Sequence, residues 1–157
     1  MNSFSPDQIL FEDNHLIAVN KRAGQLVQGD KTGDACLADE IKGFLKIKYN
    51  KPGNVFCGVI HRLDRPTSGV VIFAKTSKAL ERMNAQFREK LTDKSYIALV
   101  HGKLSNGDSL VHELRKNEQK NKSFVVDSGK GKEARLNYNP IRAFDSYTLI
   151  EVNLETG

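Results

Sequence analysis

The sequence contains no tryptophan, and aromatic side chains account for only 8% of its 157 residues. Proteins that hold single strands on an open surface usually stack the bases on several aromatic rings, so this scarcity argues against such a platform. No apolar run approaches the roughly 20 residues that a membrane helix requires, and the N-terminus lacks the basic and apolar regions of a secretion signal. We therefore expect a cytoplasmic protein without a membrane partner.

Cysteine is also scarce, because the chain has only Cys36 and Cys57, in apolar surroundings and without C-x-x-C spacing. This pattern predicts two reduced, buried side chains rather than a cross-link or a metal site. The sequence also lacks a phosphate-binding loop, a dinucleotide fingerprint and the signatures of RRM, KH and zinc modules. We expect neither a metal nor a cofactor.

The composition is that of a folded, basic protein. Hydrophobic residues make up 39% and charged residues 27% of the chain, which are ordinary values for a globular domain. A chain of 157 residues is long enough to bury a continuous core. The net charge of +5 and the pI of about 9.2 favour an anionic partner such as nucleic acid.

Short apolar runs and two helical patterns indicate the fold class. Apolar residues recur at helical spacing after Asp34, which we expect to be an N-cap. They recur again after Thr76 and Ser77, which can cap the second helix. Runs that alternate between apolar and polar residues at 96–100 and 148–154 predict strands. Together these patterns favour an α+β domain with a mixed, mostly antiparallel sheet and flanking helices.

The most informative stretch covers residues 58–74, where an apolar run, a charged segment and a second apolar run predict strand, loop and strand. Asp64 lies between Arg62 and Arg65, and such neighbours are expected to keep its carboxylate ionised. Gly69 allows a tight return into the second strand. An ionised carboxylate suits a nucleophile or an electrostatic stabiliser. From composition alone, a solvated loop ordered by ion pairs is the alternative.

Three segments resemble one known family. The sequence HRLDRPTSG at residues 61–69 is similar to the HRLDxxTSG signature of the RluA-type pseudouridine synthases. Residues 94–102 resemble that family's K-x-Y-x-A-L-V-x-G strand. Residues 14–24 resemble its D-x-x-L-x-V-x-N-K-P-x-G segment, although Arg22 replaces the usual proline. The matches follow the family's order, and the resemblance implies the pseudouridine synthase fold.

The resemblance also implies the chemistry. Pseudouridine synthases isomerise specific uridines in structured RNA, here ribosomal or transfer RNA, by breaking the N1–C1′ bond and joining C5 to C1′. Cleavage of a glycosidic bond places positive character on the ribose, which an ionised carboxylate stabilises. The resemblance assigns this catalytic role to Asp64. It also implies that Tyr96 packs against the flipped base as a second catalytic residue, while Arg62 fills the space that the base leaves.

Further residues are expected to bind the RNA or to support the loop. The predicted RNA-binding residues are Arg62, Lys21, Arg65, Lys120 and Lys122. The predicted supporting residues are His61, Leu63, Thr67, Ser68 and Gly69, of which Thr67 and Ser68 are expected to form local side-chain hydrogen bonds. The polar, basic segment at residues 115–135 is either a hairpin that contacts phosphates or an edge hairpin that lysines keep soluble.

The end of the sequence raises a question about completeness. Residues 152–157 resemble the family's V-x-L-x-T-G segment, after which the family has a basic residue that partners the catalytic aspartate. We therefore expect residues 1–157 to be a pseudouridine synthase catalytic domain that is incomplete at its C-terminus, without a separate N-terminal RNA-binding domain. The isolated chain is then predicted to be inactive or nearly so.

Two other functions remain as alternatives. One is a non-catalytic RNA-binding fragment that retains the fold. The other is a carboxylate glycosidase, which would need a second acid at a suitable separation, and no such local pair is evident. No obligate protein partner is expected, but a truncated sheet would leave the strand at residues 148–154 unpaired on one edge and allow self-association.

Overall fold

The computed structural model of the protein describes residues 3–117 and 122–156. They belong to two compact units, Met1–Glu89 and Lys90–Gly157. Lys120, one of the predicted RNA-binding residues, lies outside the described residues. The α+β class is confirmed, with two α-helices and antiparallel strand pairing throughout the described strands. The expected single sheet is divided into a four-stranded and a five-stranded sheet.

The first unit consists of a four-stranded sheet and two α-helices. After a short 3-10 helix at Pro6–Gln8, its elements are β1 (Ile9–Glu12), β2 (Leu16–Lys21), α1 (Leu37–Lys48), β3 (Gly58–Val59), β4 (Gly69–Ala74) and α2 (Ser77–Arg88). The strand order is β1-β2-β4-β3. The predicted strand, loop and strand at residues 58–74 are confirmed, because β3 pairs with β4 across the intervening loop.

The core of this unit is formed by the buried faces of β2, β4 and α1. Alternate residues of β2 and β4 are buried, whereas α1 buries residues three or four positions apart. The fully buried apolar side chains of these elements are Ile17, Val19, Leu37, Ile41, Leu45, Val71, Phe73 and Ala74. Cys36 and Cys57 belong to the same core and are free thiols, as predicted. Burial raises the pKa of Cys57 to about 12, so this residue stays protonated and unreactive.

The two α-helices begin differently. The Thr76 hydroxyl accepts a hydrogen bond from the Ala79 N–H at 3.1 Å, so the predicted cap of α2 is confirmed. The N-cap of α1 is Cys36 rather than Asp34. The carboxylate of Asp34 instead pairs with the Arg65 guanidinium at 2.9 Å. Asp34 lies two residues before the actual N-cap, so its side chain is not in position to cap the helix.

The second unit is a five-stranded antiparallel sheet. Its strands are β5 (Ser95–His101), β6 (Asp108–Asn117), β7 (Lys122–Val126), β8 (Lys132–Ala143) and β9 (Tyr147–Leu154), in the order β5-β9-β8-β6-β7. None of the helices in the described parts of the chain is long and apolar enough to cross a membrane.

The position of β9 corrects one expectation. We expected residues 148–154 to lie at an unpaired edge, but β9 lies inside the sheet between β5 and β8. Ile150, for example, aligns with Ala98 on one side and with Pro140 on the other. The backbone groups of β9 are therefore paired within the chain, and the predicted self-association through this strand loses its physical basis.

Candidate active site

The loop between β3 and β4 presents Asp64 to solvent. The Thr67 N–H donates to the Asp64 carbonyl oxygen at 3.0 Å and closes a turn around Arg65 and Pro66. Gly69 then enters β4 with a φ of +137°, a conformation that favours glycine. The Asp64 side chain is exposed, and its carboxylate makes no hydrogen bond within residues 3–117 and 122–156. Both carboxylate oxygens are therefore available to a ligand.

A buried lysine holds this loop from below. Lys21 ends β2, where it aligns with Gly69 of β4, and its side chain is fully buried. Its ammonium donates to the main-chain carbonyl oxygens of Asp64 at 3.0 Å, Arg65 at 3.1 Å and Thr67 at 2.5 Å. Three carbonyl groups of one turn therefore converge on a single cation, which fixes the path of the main chain.

The burial of Lys21 revises its expected role. A side chain with no exposed surface cannot contact an RNA phosphate, so Lys21 is removed from the predicted RNA-binding residues. Burial lowers the pKa of Lys21, and the attraction of the Asp64 carboxylate opposes this effect. Lys21 thus brings a positive charge toward Asp64 from beneath the loop, in addition to the arginines that flank it in sequence.

Arg65 connects the loop to the segment that follows β2. Its guanidinium donates from Nε to the Gly24 carbonyl oxygen at 3.1 Å and forms the ion pair with Asp34. The Gly24 N–H in turn donates to the Arg65 carbonyl oxygen at 2.7 Å, and Gly24 has a φ of +90°. The Arg65 side chain is about half exposed. We predicted an RNA contact for Arg65, and the structure already engages its guanidinium within the protein.

His61 and Leu63 support the loop on the side of β3. The Ile72 N–H of β4 donates to His61 Nε2 at 3.1 Å, so the proton of the neutral imidazole lies on Nδ1. The imidazole also stacks on Phe87 of α2, with ring centroids 5.2 Å apart. The Leu63 side chain packs against the core, and a methyl group added to Gly69 would lie 3.5 Å from its Cδ1.

Thr67 and Ser68 act differently from the expectation. Neither hydroxyl makes a hydrogen bond within the described part of the chain, so the predicted side-chain hydrogen bonds are absent there. The main chain of Thr67 performs the expected task, because its N–H and its carbonyl oxygen bond to Asp64 and Lys21. The Thr67–Ser68 part of the loop is therefore ordered through its backbone.

Arg62 is an exposed cation two residues before Asp64. Its side chain makes no hydrogen bond or ion pair with the residues that the structure describes. This availability distinguishes Arg62 from Arg65 and from Lys21. A guanidinium in this state can form bidentate contacts with a phosphate or stack on a base.

Tyr96 lies in the second unit, on β5. Tyr96, Ala98 and Val100 form the half-buried face of this strand, as the alternation predicted. Tyr96 aligns with Val152 of β9, which aligns with Tyr138 of β8. Tyr96 and Tyr138 therefore lie on the same face of the sheet, with β9 between their strands.

Lys122 and Asp34 are the two remaining residues whose positions bear on the sequence predictions. Lys122 is exposed at the start of β7, where it aligns with Asn117 of β6. Asp34 was not expected near the loop, because it is 31 residues from Arg65 and no local pattern links them. Within the described residues no cluster of three or more histidine, cysteine or acidic side chains could hold a metal ion.

The family model described as RNA pseudouridylate synthase matches residues 15–157, which include the Asp64 loop and the strands around it. The chain belongs to this family. It is 38% identical over 153 residues to ribosomal large subunit pseudouridine synthase C of Buchnera aphidicola subsp. Acyrthosiphon pisum, which covers 96% of this chain and 47% of that protein. It is 34% identical over 158 residues to ribosomal large subunit pseudouridine synthase D of Borreliella burgdorferi, over 97% of this chain and 48% of that protein.

Solved structures show the same fold. Human RNA pseudouridylate synthase domain containing 4 has a TM-score of 0.78 at 23% identity, over 96% of this chain and 60% of that one. Human RNA pseudouridylate synthase domain containing 1 has a TM-score of 0.74 at 20% identity. The chain spans about half the length of the curated relatives it matches.

Proposed function

We propose that this chain carries the catalytic loop of a cytoplasmic RNA pseudouridine synthase, with Asp64 as the catalytic carboxylate. The observation that carries the proposal is the state of Asp64 itself. Its main chain is fixed by the Lys21 ammonium, while its exposed carboxylate makes no hydrogen bond within the described residues. Pre-positioned charge of this kind acts on a transition state without reorganisation of the site.

The reaction needs an ionised acid at the sugar. When the N1–C1′ bond breaks, positive character develops on the ribose, and the Asp64 carboxylate stabilises it. The target base must leave its stack, which costs a few kcal/mol. In the proposal Arg62 offsets this cost by filling the vacated space, and Tyr96 packs against the flipped ring. These roles are assigned separately, because Asp64 and Tyr96 belong to different units.

Two relatives suggest the substrate class. Both are named as synthases of the ribosomal large subunit, so we propose that the substrate is ribosomal RNA of this subunit. Transfer RNA is the other class that the sequence analysis left open. A non-catalytic RNA-binding fragment is the rival function, since the chain spans about half the length of these relatives.

The test is release of tritium from RNA labelled at C5 of uridine. It is run on the 157-residue chain and on any longer natural polypeptide that contains it, with large-subunit ribosomal RNA and with transfer RNA as substrates. We expect Asp64→Asn to abolish release from the ribosomal RNA while thermal stability and RNA affinity stay unchanged. Asp145→Asn, the same change at an exposed position between β8 and β9, is the matched control.

The other outcomes have definite meanings. Substantial turnover by Asp64→Asn, after deamidation has been excluded, contradicts the catalytic assignment. RNA binding without tritium release from either polypeptide supports the rival function. Release from transfer RNA alone contradicts the proposed substrate.

A further inference from the structure

The strand register of the second unit places the basic residues of β6, β7 and β8 on two opposite faces. Residues that align across antiparallel strands project from the same side, and residues two apart along a strand share that side. Tyr96 aligns with Val152, which aligns with Tyr138, which aligns with Asp108 of β6. This row defines the tyrosine face of the sheet.

Two lysines lie on the tyrosine face. Lys116 is eight residues from Asp108 along β6, an even number, and therefore projects from the same side. Lys132 of β8 aligns with Leu114 of β6, which is also an even number of residues from Asp108. His112 lies on the same face, aligned with Ala134, and is nearer than either lysine to the row that contains Tyr138. The tyrosine face thus continues from Tyr96 into a basic extension formed by Lys116, Lys132 and His112.

The remaining cations lie on the opposite face. Arg115 aligns with Phe124, and Lys122 aligns with Asn117, so both project away from the tyrosine face. Arg135 aligns with Val111 on this opposite face and forms a two-pronged ion pair with Glu133, at 2.8 and 2.9 Å. This guanidinium is already satisfied within the protein.

The two lysines of the basic extension have no such partner. Both are exposed, and neither ammonium is in an ion pair with any residue that the structure describes. On the tyrosine face of the described parts of β6, β7 and β8, the only carboxylate is that of Asp108, at the far end of β6. Unpaired ammonium groups on a surface almost free of carboxylates suit a polyanion.

We propose that Lys116 and Lys132, with His112, bind phosphates of the RNA whose target nucleotide packs against Tyr96. The inference rests on the proposed function and refines it, because it replaces the predicted contact of Lys122 by contacts on the tyrosine face. From the strand spacing and the rise per residue, these groups lie roughly 20 to 30 Å from Tyr96 along the sheet. At this distance they would contact phosphates several nucleotides from the target uridine.

The experiment compares two double variants that remove the same charge. Lys116→Gln with Lys132→Gln alters the tyrosine face, and Arg115→Gln with Lys122→Gln alters the opposite face. All four positions are exposed, and thermal melts check that both variants keep the wild-type stability. Binding to an in vitro transcript of large-subunit ribosomal RNA is measured as a function of NaCl concentration.

We expect the tyrosine-face variant to weaken binding about tenfold or more at low salt. Its log–log salt slope should fall by roughly 1.5, because each lost phosphate contact removes about 0.7 to 0.9. The opposite-face variant should keep at least half of the wild-type affinity and the wild-type slope. Equal losses in the two variants, a larger loss in the opposite-face variant, or no binding by the wild type would overturn the inference.

Failure of the proposed function gives a different result. If no polypeptide releases tritium but the tyrosine-face variant alone loses affinity, the RNA surface is supported and the catalytic role of Asp64 is not. If tritium is released and the two double variants bind equally, the catalytic role is supported and the assignment of the RNA surface is wrong.

Discussion

The Lys21 ammonium donates a hydrogen bond to the main-chain carbonyl oxygen of Asp64 at 3.0 Å, and it also bonds to the carbonyl oxygens of Arg65 and Thr67. The cation therefore holds the backbone of the loop and leaves the Asp64 carboxylate exposed. This arrangement separates two tasks. Lys21 positions the loop from within the protein, and the Asp64 carboxylate stays exposed for the catalytic role that we propose.

Replacement of Lys21 by methionine tests this positioning role. Lys21→Met keeps an unbranched side chain but leaves buried carbonyl groups without their donor, which should lower the free energy of unfolding by roughly 1 to 3 kcal/mol. Urea unfolding gives this value. Tritium release should fall further than the folded fraction explains, because the loop path changes. Lys31→Met, at an exposed position, is the control, and equal stabilities of the two variants would contradict the role.

Replacement of His61 separates its hydrogen bond from its ring contact. His61→Phe keeps the stack on Phe87 but removes the acceptor for the Ile72 N–H. We expect a loss of about 1 to 2 kcal/mol in the free energy of unfolding. His61→Phe should also reduce tritium release, because the loop loses this support. His61→Gln can keep an acceptor near the position of Nε2 and should recover part of that activity. If Phe proves less harmful than Gln in both measurements, the ring contact is the important one.

Arg62 is exposed and has no hydrogen-bond or ion-pair partner among the described residues, which predicts a dependence on substrate structure. Arg62→Ala should reduce productive binding more for a folded RNA than for an unstacked loop with the same uridine, because less unstacking has to be offset in the loop. Single-turnover tritium release over a range of enzyme concentrations measures both effects. Equal losses on the two RNAs would contradict a role in filling the space of the flipped base.

The hydroxyl and the ring of Tyr96 make separable contributions. Tyr96→Phe keeps the aromatic ring on the tyrosine face, so RNA affinity should stay within about twofold of wild type if ring packing supplies the binding. Tyr96→Ala removes the ring and should weaken binding by roughly 1 to 3 kcal/mol, the usual value for a stacked base. Filter binding measures both. A weaker affinity for Tyr96→Phe than for Tyr96→Ala would contradict the stacking role.

The pKa of Glu12 predicts a pH dependence of stability in the first unit. Burial alone would raise this pKa, but hydrogen bonds from Lys48, Lys75 and Tyr49 outweigh it and lower the pKa to about 2. Because the pKa is lower in the folded than in the unfolded protein, the stabilisation is present above about pH 4.5 and is lost as the pH falls toward 2. It amounts to roughly 3 kcal/mol, since each tenfold change in proton affinity is worth about 1.4 kcal/mol.

Urea unfolding of the wild type and of Glu12→Gln between pH 2 and 6 tests this prediction. The variant should lose less stability on acidification than the wild type, by an amount that approaches the stabilisation given above. Asp127→Asn, at an exposed ion pair, is the control and should follow the wild-type slope. Parallel slopes for the wild type and Glu12→Gln would show that the carboxylate contributes little in this range.

Residues 58–74 show what the sequence by itself determined. The strand, the loop and the returning strand were predicted correctly because two apolar runs, the charged segment between them and Gly69 act within a few residues of chain. The same applies to the Thr76 cap and to the half-buried face of β5. The signature around Asp64 indicated the family for the same reason, since it is a contiguous run of residues.

Only the tertiary structure decided what those residues contact. The loop carbonyl groups that bind Lys21 are 43 to 46 residues away, and the pairing of β2 with β4 is what brings them together. Arg65 finds Asp34 across 31 residues, and β9 acquires neighbours on both sides. Local polarity predicts which way a side chain points relative to its own strand, but burial and charge pairing depend on distant segments. For this reason Lys21 was predicted from the sequence to bind RNA, whereas in the fold it is buried and supports the loop.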